Sequence, residues 1–171
     1  MRPDREATIH EMAPGIFKSK TVLYIGARHD AYSYGDHFHK GGAKVTVIEA
    51  FPGNIPYLEQ DSRISEVILG DIREWEPEDR KWDAIFWWHG PEHIKEEEIP
   101  PVLNKIEKCC NNVVLLGCPW GDHEQGAMYG NDFETHHSSN DKIFENLGYT
   151  CKYLVGKGIY GSHITSVKYI K

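Results

Sequence analysis

Five short, near-continuous apolar runs constrain the fold of this chain more than any other feature. They are 21–26, 44–49, 66–70, 82–88 and 112–117. A strand exposed on one face alternates polar and apolar residues. A run that stays apolar suits a sheet covered on both faces. Segments with helical character lie between most of them, at 33–40, 55–61 and 96–109. In the last of these Ile99, Val102, Leu103 and Ile106 recur at helical spacing, and Pro100-Pro101 suits the first turn. A further helix is expected over 141–147, stopped by Gly148. Alternating strands and helices imply a parallel sheet with right-handed crossovers. Residues 149–155 and 164–170 read as two closing strands. Gly156, Gly158 and Gly161 lie between them without a convincing helix, which implies an antiparallel edge.

Composition sets the outer bounds. The 171 residues suit one domain, 1–171, with a core large enough to need no disulfide. A formal net charge of −7 repels phosphate backbones, so nucleic acid is not an expected partner. No basic leader with an apolar stretch behind it is read, and no apolar run has bilayer length. No membrane partner is therefore expected, and the cytoplasm is the expected location. Cys109, Cys110, Cys118 and Cys151 lack the paired spacing of a zinc ribbon and read as reduced thiols.

In doubly wound sheets ligands bind beyond the carboxyl ends of the strands. Those ends carry Gly26, Glu49, Asp71, the segment His89–His93, and the chain from Cys118 onward. Gly26 either lets the backbone approach a ligand or simply makes a tight turn. Glu49 either accepts hydrogen bonds from both hydroxyls of a ribose or is a solvated acid at a strand end. Asp71, with Ile72 beside it, either holds an adenine amino group and covers the ring or belongs to a polar turn. Asp83 opens the fourth run and reads as a turn-orienting residue. A neutral imidazole is a fair base near neutral pH, which makes His89, His93 and His136 base candidates; hydrogen bonding within loops is the plainer role. His136 and His89 rank first because both fall over strand ends. His89 and His93 have the spacing of a helical metal site, but Gly90-Pro91 argues against a helix there, so no metal is expected. The loop 117–137 is long for a structural connection and reads as a lid, with Trp120 placed to meet an acceptor.

The ordered set of these segments resembles the class I S-adenosylmethionine-dependent methyltransferases. Val22-Leu23-Tyr24-Ile25-Gly26, Val45-Thr46-Val47-Ile48-Glu49, Leu69-Gly70-Asp71-Ile72 and Trp82-Asp83-Ala84-Ile85-Phe86 are similar, in order and spacing, to that family's successive motifs. Trp88-His89-Gly90-Pro91-Glu92-His93 resembles its segment after strand four, which often ends in Glu-His. Gln125-Gly126, Asn131-Asp132-Phe133 and His136-His137-Ser138 are similar to a loop of small stand-alone bacterial and archaeal members. Phe144-Glu145-Asn146-Leu147-Gly148-Tyr149 matches the usual lead into strand six. The first motif departs from the family: Tyr24 stands where an acid is usual, and Arg28 and Asp30 occupy later glycine positions. The same departure weakens a reading as an NAD site, since the full G-x-G-x-x-G pattern is absent.

The resemblance implies a Rossmann-like three-layer α/β sandwich, with a mostly parallel seven-stranded sheet and an antiparallel last strand. It implies S-adenosylmethionine as cofactor, held by Gly26, Arg28, Asp30, Glu49, Asp71, Ile72 and His89. Arg28 would pair with the cofactor's carboxylate, or Asp30 with its amino group. His136 and His89 are the catalytic candidates, and the acceptor is an unidentified small molecule. Homodimerisation stays open. Two other readings share the same sheet: a non-catalytic nucleoside-binding or assembly protein, motivated by Tyr24, Arg28 and Asp30, and a nucleotide-dependent enzyme of another chemistry.

Overall fold

The computed structural model describes residues 3–27, 34–121, 124–138, 142–156 and 162–171. Seven strands share one sheet: β1 (Thr21–Ile25), β2 (Lys44–Glu49), β3 (Glu66–Leu69), β4 (Trp82–Trp88), β5 (Cys110–Cys118), β6 (Thr150–Leu154) and β7 (His163–Tyr169). Their order is β3-β2-β1-β4-β5-β7-β6. The first five strands pair in parallel, and β7 runs antiparallel to both β5 and β6. The last strand is thus antiparallel, as expected, and the closing pair forms an antiparallel edge in which β7 lies one place in and β6 outermost. β7 carries the better buried residues, with Ile164, Thr165 and Ser166 all at 0% exposure, so it fills the slot beside β5 and leaves β6 outside.

The helices are α1 (Pro3–Met12), α2 (Gly35–Lys40), α3 (Ile55–Leu58), α4 (Ile99–Lys108) and α5 (Ile143–Asn146). α4 begins with its prolines in the first turn and buries Ile99, Val102, Leu103 and Ile106, the stripe read from spacing. α3 is shorter than expected. The expected helix starts at 33 and 141, and the glycines Gly158 and Gly161, lie outside the described residues. α1 is not evident in the sequence pattern: Ile9, followed by Ala13 and Ile16 beyond it, is its main apolar anchor.

Strand periodicity splits the core in two. Val22, Tyr24, Val45, Val47, Ala84, Phe86 and Trp88 pack against α1, α2 and α3. Leu23, Ile25, Ile48, Ile85, Trp87, Val114 and Leu116 pack against α4 and α5. The result is three layers with the sheet in the middle. Trp82 breaks the alternation with Ala84. The β4–β5 pairing shifts register between these two residues, and this irregularity turns Trp82 to the α4 face. Asp83 does orient a turn: its Oδ2 accepts from the Lys20 and Thr21 amides, each at 3.1 Å. All four cysteines are free, as read.

Gly117 on β5 lies directly across from Trp88 on β4, and a Cβ there would overlap the indole carbons. Trp88 cannot move easily, because it stacks on Phe86 at 5.6 Å and contacts the His163 ring at 4.7 Å. Gly117→Ala is expected to cost about 1–3 kcal/mol, the usual price of overpacking, read as a lower urea midpoint with an unchanged slope.

Candidate functional site

The carboxyl ends of β1, β2 and β4 and the loops behind β3 and β5 open into one cavity of about 470 Å³, a size suited to a nucleoside-like ligand. Gly26, Glu49, Asp71, Ile72, His89 and His136 all line it. Six of the eight residues expected at the site are thus brought together. Arg28 and Asp30 lie outside the described residues.

Each wall group is held by local structure. Gly26 follows β1 at φ +70°, and a Cβ there would project into open space. The carboxylate of Glu49 ends β2 and is 5% exposed. Its Oε1 accepts from the Phe51 amide at 2.8 Å and from Asn54 Nδ2 at 3.1 Å. Burial pushes the Glu49 carboxyl above its ordinary range, against the opposing pull of those two hydrogen bonds. Asp71 is clasped by Arg73, whose Nη2 donates to Oδ2 at 2.6 Å and whose Nε lies 3.0 Å from both oxygens. Burial works against the charge on Asp71, but the Arg73 guanidinium outweighs it and holds the carboxyl below its ordinary range. Ile72 is 7% exposed, an apolar surface beside that acid.

His89 adopts φ +54°, a left-handed conformation uncommon for a residue with a side chain. Its amide donates to the Gly117 carbonyl at 2.7 Å, which fixes the turn. Arg5 on α1 reaches His89 Nε2 at 3.1 Å. Arginine can only donate, so Nε2 accepts and Nδ1 carries the proton toward Glu92 Oε1, 3.2 Å away. Both ring nitrogens are therefore engaged.

His136 arrives from the loop after β5. That loop is pinned to the segment after β4: the His137 amide donates to the Glu92 carbonyl at 2.7 Å, and Ser138 Oγ donates to the Pro91 carbonyl at 3.0 Å. The loop also fastens to itself. Gln125 Nε2 donates to the Glu134 carbonyl at 2.7 Å, the His136 amide to the Gln125 carbonyl at 2.9 Å, and the Phe133 amide to Asn131 Oδ1 at 3.0 Å. Gln125, Asn131 and Ser138, singled out in the sequence for their pattern, are the residues that make these bonds.

Of the other groups at the cavity, Arg5 went unread in the sequence, while Glu92 and His93 were read in the segment after strand four, His93 also as a base candidate. Arg5 comes from α1, whose pattern is weak. Glu92 is 1% exposed, and burial opposes its charge; the His89 hydrogen bond and nearby His93 outweigh this and hold the carboxyl below its ordinary range. His93 meets His136 with ring centroids 5.1 Å apart. Trp120 corrects an expectation. It packs edge-on against Tyr153 of β6 at 5.2 Å and leaves the cavity wall to its neighbour Pro119.

A sheet of this order, with β7 alone reversed and a cavity over the β1–β2 ends, defines a Rossmann-like α/β protein of the class I methyltransferase fold. Solved structures share it. DhpI in complex with SAH superposes with a TM-score of 0.69 at 17% identity, over 96% of this chain and 83% of that one. The N-methyltransferase NodS from Bradyrhizobium japonicum gives 0.65 at 13% identity, over 98% and 94%. Magnesium protoporphyrin IX methyltransferase ChlM from Synechocystis, with bound SAH, gives 0.65 at 10% identity, over 97% and 81%. At these identities the likeness establishes the fold. No family model matches the sequence, and no curated protein matches it. No helix among the described residues is long and apolar enough to cross a membrane.

Proposed function

We propose that the cavity binds S-adenosylmethionine and that the protein transfers its methyl group to a small-molecule acceptor. The observation that carries this reading is the wall itself: Gly26, Glu49 and the pair Asp71-Ile72 stand at or just beyond the carboxyl ends of three successive strands and face one space. These groups fit the cofactor. A Cβ at Gly26 would occupy cavity space, so glycine leaves room for a ligand against the backbone. The Glu49 carboxylate, buried and steadied through Oε1, is suited to hold a ribose. Asp71 suits an adenine amino group, with Ile72 covering the ring. When bound, the cofactor supplies an electrophilic methyl on a neutral thioether leaving group.

This chain's residues then orient the acceptor and exclude water. The loop carrying Pro119, Gln125, Met128, Phe133 and His136 forms the acceptor side of the cavity. Of the imidazoles lining the cavity, His136 and His89 are the catalytic candidates, and the pairing of His89 with Arg5 and Glu92 makes it the more fixed of the two. A net charge of −7 favours a small acceptor over nucleic acid. DhpI and ChlM carry SAH in their structures, which supports the cofactor assignment. The proposal treats the chain as a single methyltransferase-like domain working in the cytoplasm.

Calorimetry with S-adenosylhomocysteine, S-adenosylmethionine and NAD tests the reading. The first two are expected to bind one per chain and NAD not to bind. S-adenosylhomocysteine is also expected to slow proteolysis of the loop from 117 to 137. Binding of NAD without S-adenosylhomocysteine would move the protein to another chemistry.

A further inference from the structure

We propose that Glu92, His93 and His136 form a divalent transition-metal site in the cavity wall, with an open coordination position for an oxygen atom of the acceptor. One ligand atom from each lies within 4.8 Å of the others. Metal–nitrogen and metal–oxygen bonds of about 2.0–2.2 Å place ligand atoms roughly 3.4 Å apart, so small side-chain rotations close the set.

Two further observations point to a cation. First, Glu92 is 1% exposed, and its Oε2 is buried without a hydrogen bond. A buried carboxylate oxygen left bare is costly unless something positive meets it. Second, the His93 ring is oriented as a ligand. Its Nδ1 lies 3.4 Å from the Thr135 carbonyl, which can only accept, so Nδ1 carries the proton. That leaves Nε2 as the ring's ligating nitrogen, 3.9 Å from Glu92 Oε1. A ligating histidine that donates its other ring N–H to a backbone carbonyl is the usual supporting arrangement of metal sites.

The donors select the ion. Two imidazoles and one carboxylate suit zinc, iron or cobalt; magnesium and calcium prefer oxygen donors. Three protein ligands leave a position open toward the cavity. The acceptor then carries a hydroxyl or carboxylate oxygen, and this last step rests on the methyl-transfer reading. The ion site itself rests only on the cavity's own groups.

The test is metal titration of tag-free protein stripped by a chelator. Zn(II) is expected to bind at one strong site per chain with micromolar or tighter affinity, and Mg(II) not to compete. Co(II) is expected to give visible absorption bands that shift when acetohydroxamate, an oxygen chelator, enters the open position. Glu92→Gln and His136→Gln should each weaken Zn(II) at least tenfold. His136 sits on a loop, so its variant stays informative if Glu92→Gln fails to fold, with circular dichroism as the check. Glu6, His10 and His37 form a second, more exposed cluster, and His37→Gln should leave the strong site unchanged. No micromolar binding, or binding lost in His37→Gln and kept in His136→Gln, overturns the site. Bands unmoved by acetohydroxamate overturn the open position. S-adenosylhomocysteine is titrated into the same stripped protein: if it binds while Zn(II) does not, only the metal site fails. If Zn(II) binds and S-adenosylhomocysteine does not, the cofactor reading fails instead.

Discussion

Phe86→Ala is expected to remove about 3–5 kcal/mol of stability, a large share of the roughly 5–15 kcal/mol that holds a domain folded. Phe86 is 0% exposed at the centre of β4. Among the described residues five rings surround it: Tyr24 and Tyr34 at 5.1 Å, Phe38 at 5.2 Å, Trp88 at 5.6 Å and Phe17 at 6.4 Å. Stiff aromatic neighbours collapse poorly into a void, so the loss should fall toward the upper end of that range. Phe86→Leu keeps most of the volume and should cost roughly 1–2 kcal/mol. Urea unfolding followed by tryptophan fluorescence reads both variants. A loss below about 1 kcal/mol for the alanine variant would show that the ring cluster is loosely packed.

That cluster also accounts for the altered first motif. Tyr24 stands where the family that the sequence resembles has an acid, and its ring points to the α2 face, away from the cavity, and lies 6.3 Å from Phe38. The substitution extends the aromatic core beneath the helices and leaves the ligand side of β1 to Ile25 and Gly26. Sequence alone shows the replacement but not the face, because neighbouring strand positions point to opposite sides.

The sheet was legible for a simple reason. β2 and β4 run from Lys44 to Glu49 and from Trp82 to Trp88, the limits of their apolar runs, because strands covered on both faces stay apolar throughout. The order of the last two strands was not legible, since a run of residues does not say which neighbour it pairs with. α1 escaped because its mostly polar sequence buries little besides Thr8 and Ile9, and with it escaped Arg5. In the site, residues at strand ends were readable from position alone. The gathering of Glu92, His93 and His136 was not: Gly90-Pro91 argued against a helical His89–His93 pair, as the short 3-10 turn over Pro91–His93 bears out, but nothing in the sequence shows the bonds that bring His136 in from the distant loop.

Replacing Glu49 is expected to separate binding from folding, in opposite directions. Each charge-assisted hydrogen bond is worth about 1.5–3 kcal/mol, so Glu49→Ala should weaken S-adenosylhomocysteine roughly ten- to a hundredfold. Glu49→Gln is the sharper probe. Its amide oxygen can keep the hydrogen bonds from Phe51 and Asn54, while the paired acceptors offered to a ribose are lost. Stability should move the other way. Burial raises the folded carboxyl above its ordinary range, so the unfolded chain ionises first. The stabilising share of a raised carboxyl is present at acid pH and is lost as pH rises through the folded value. At neutral pH the wild type buries a charge that glutamine does not carry. The glutamine variant should therefore melt higher near neutrality, and the gain should fade as pH falls into the acid range. Wild-type affinity should itself decline on acidification at a higher pH than an ordinary carboxylate would give. Calorimetry and melting curves across that range check both signs. Glutamine with unchanged affinity would remove Glu49 from the ligand, and glutamine with a lower melting point at neutral pH would show that its charge supports the fold instead of the site.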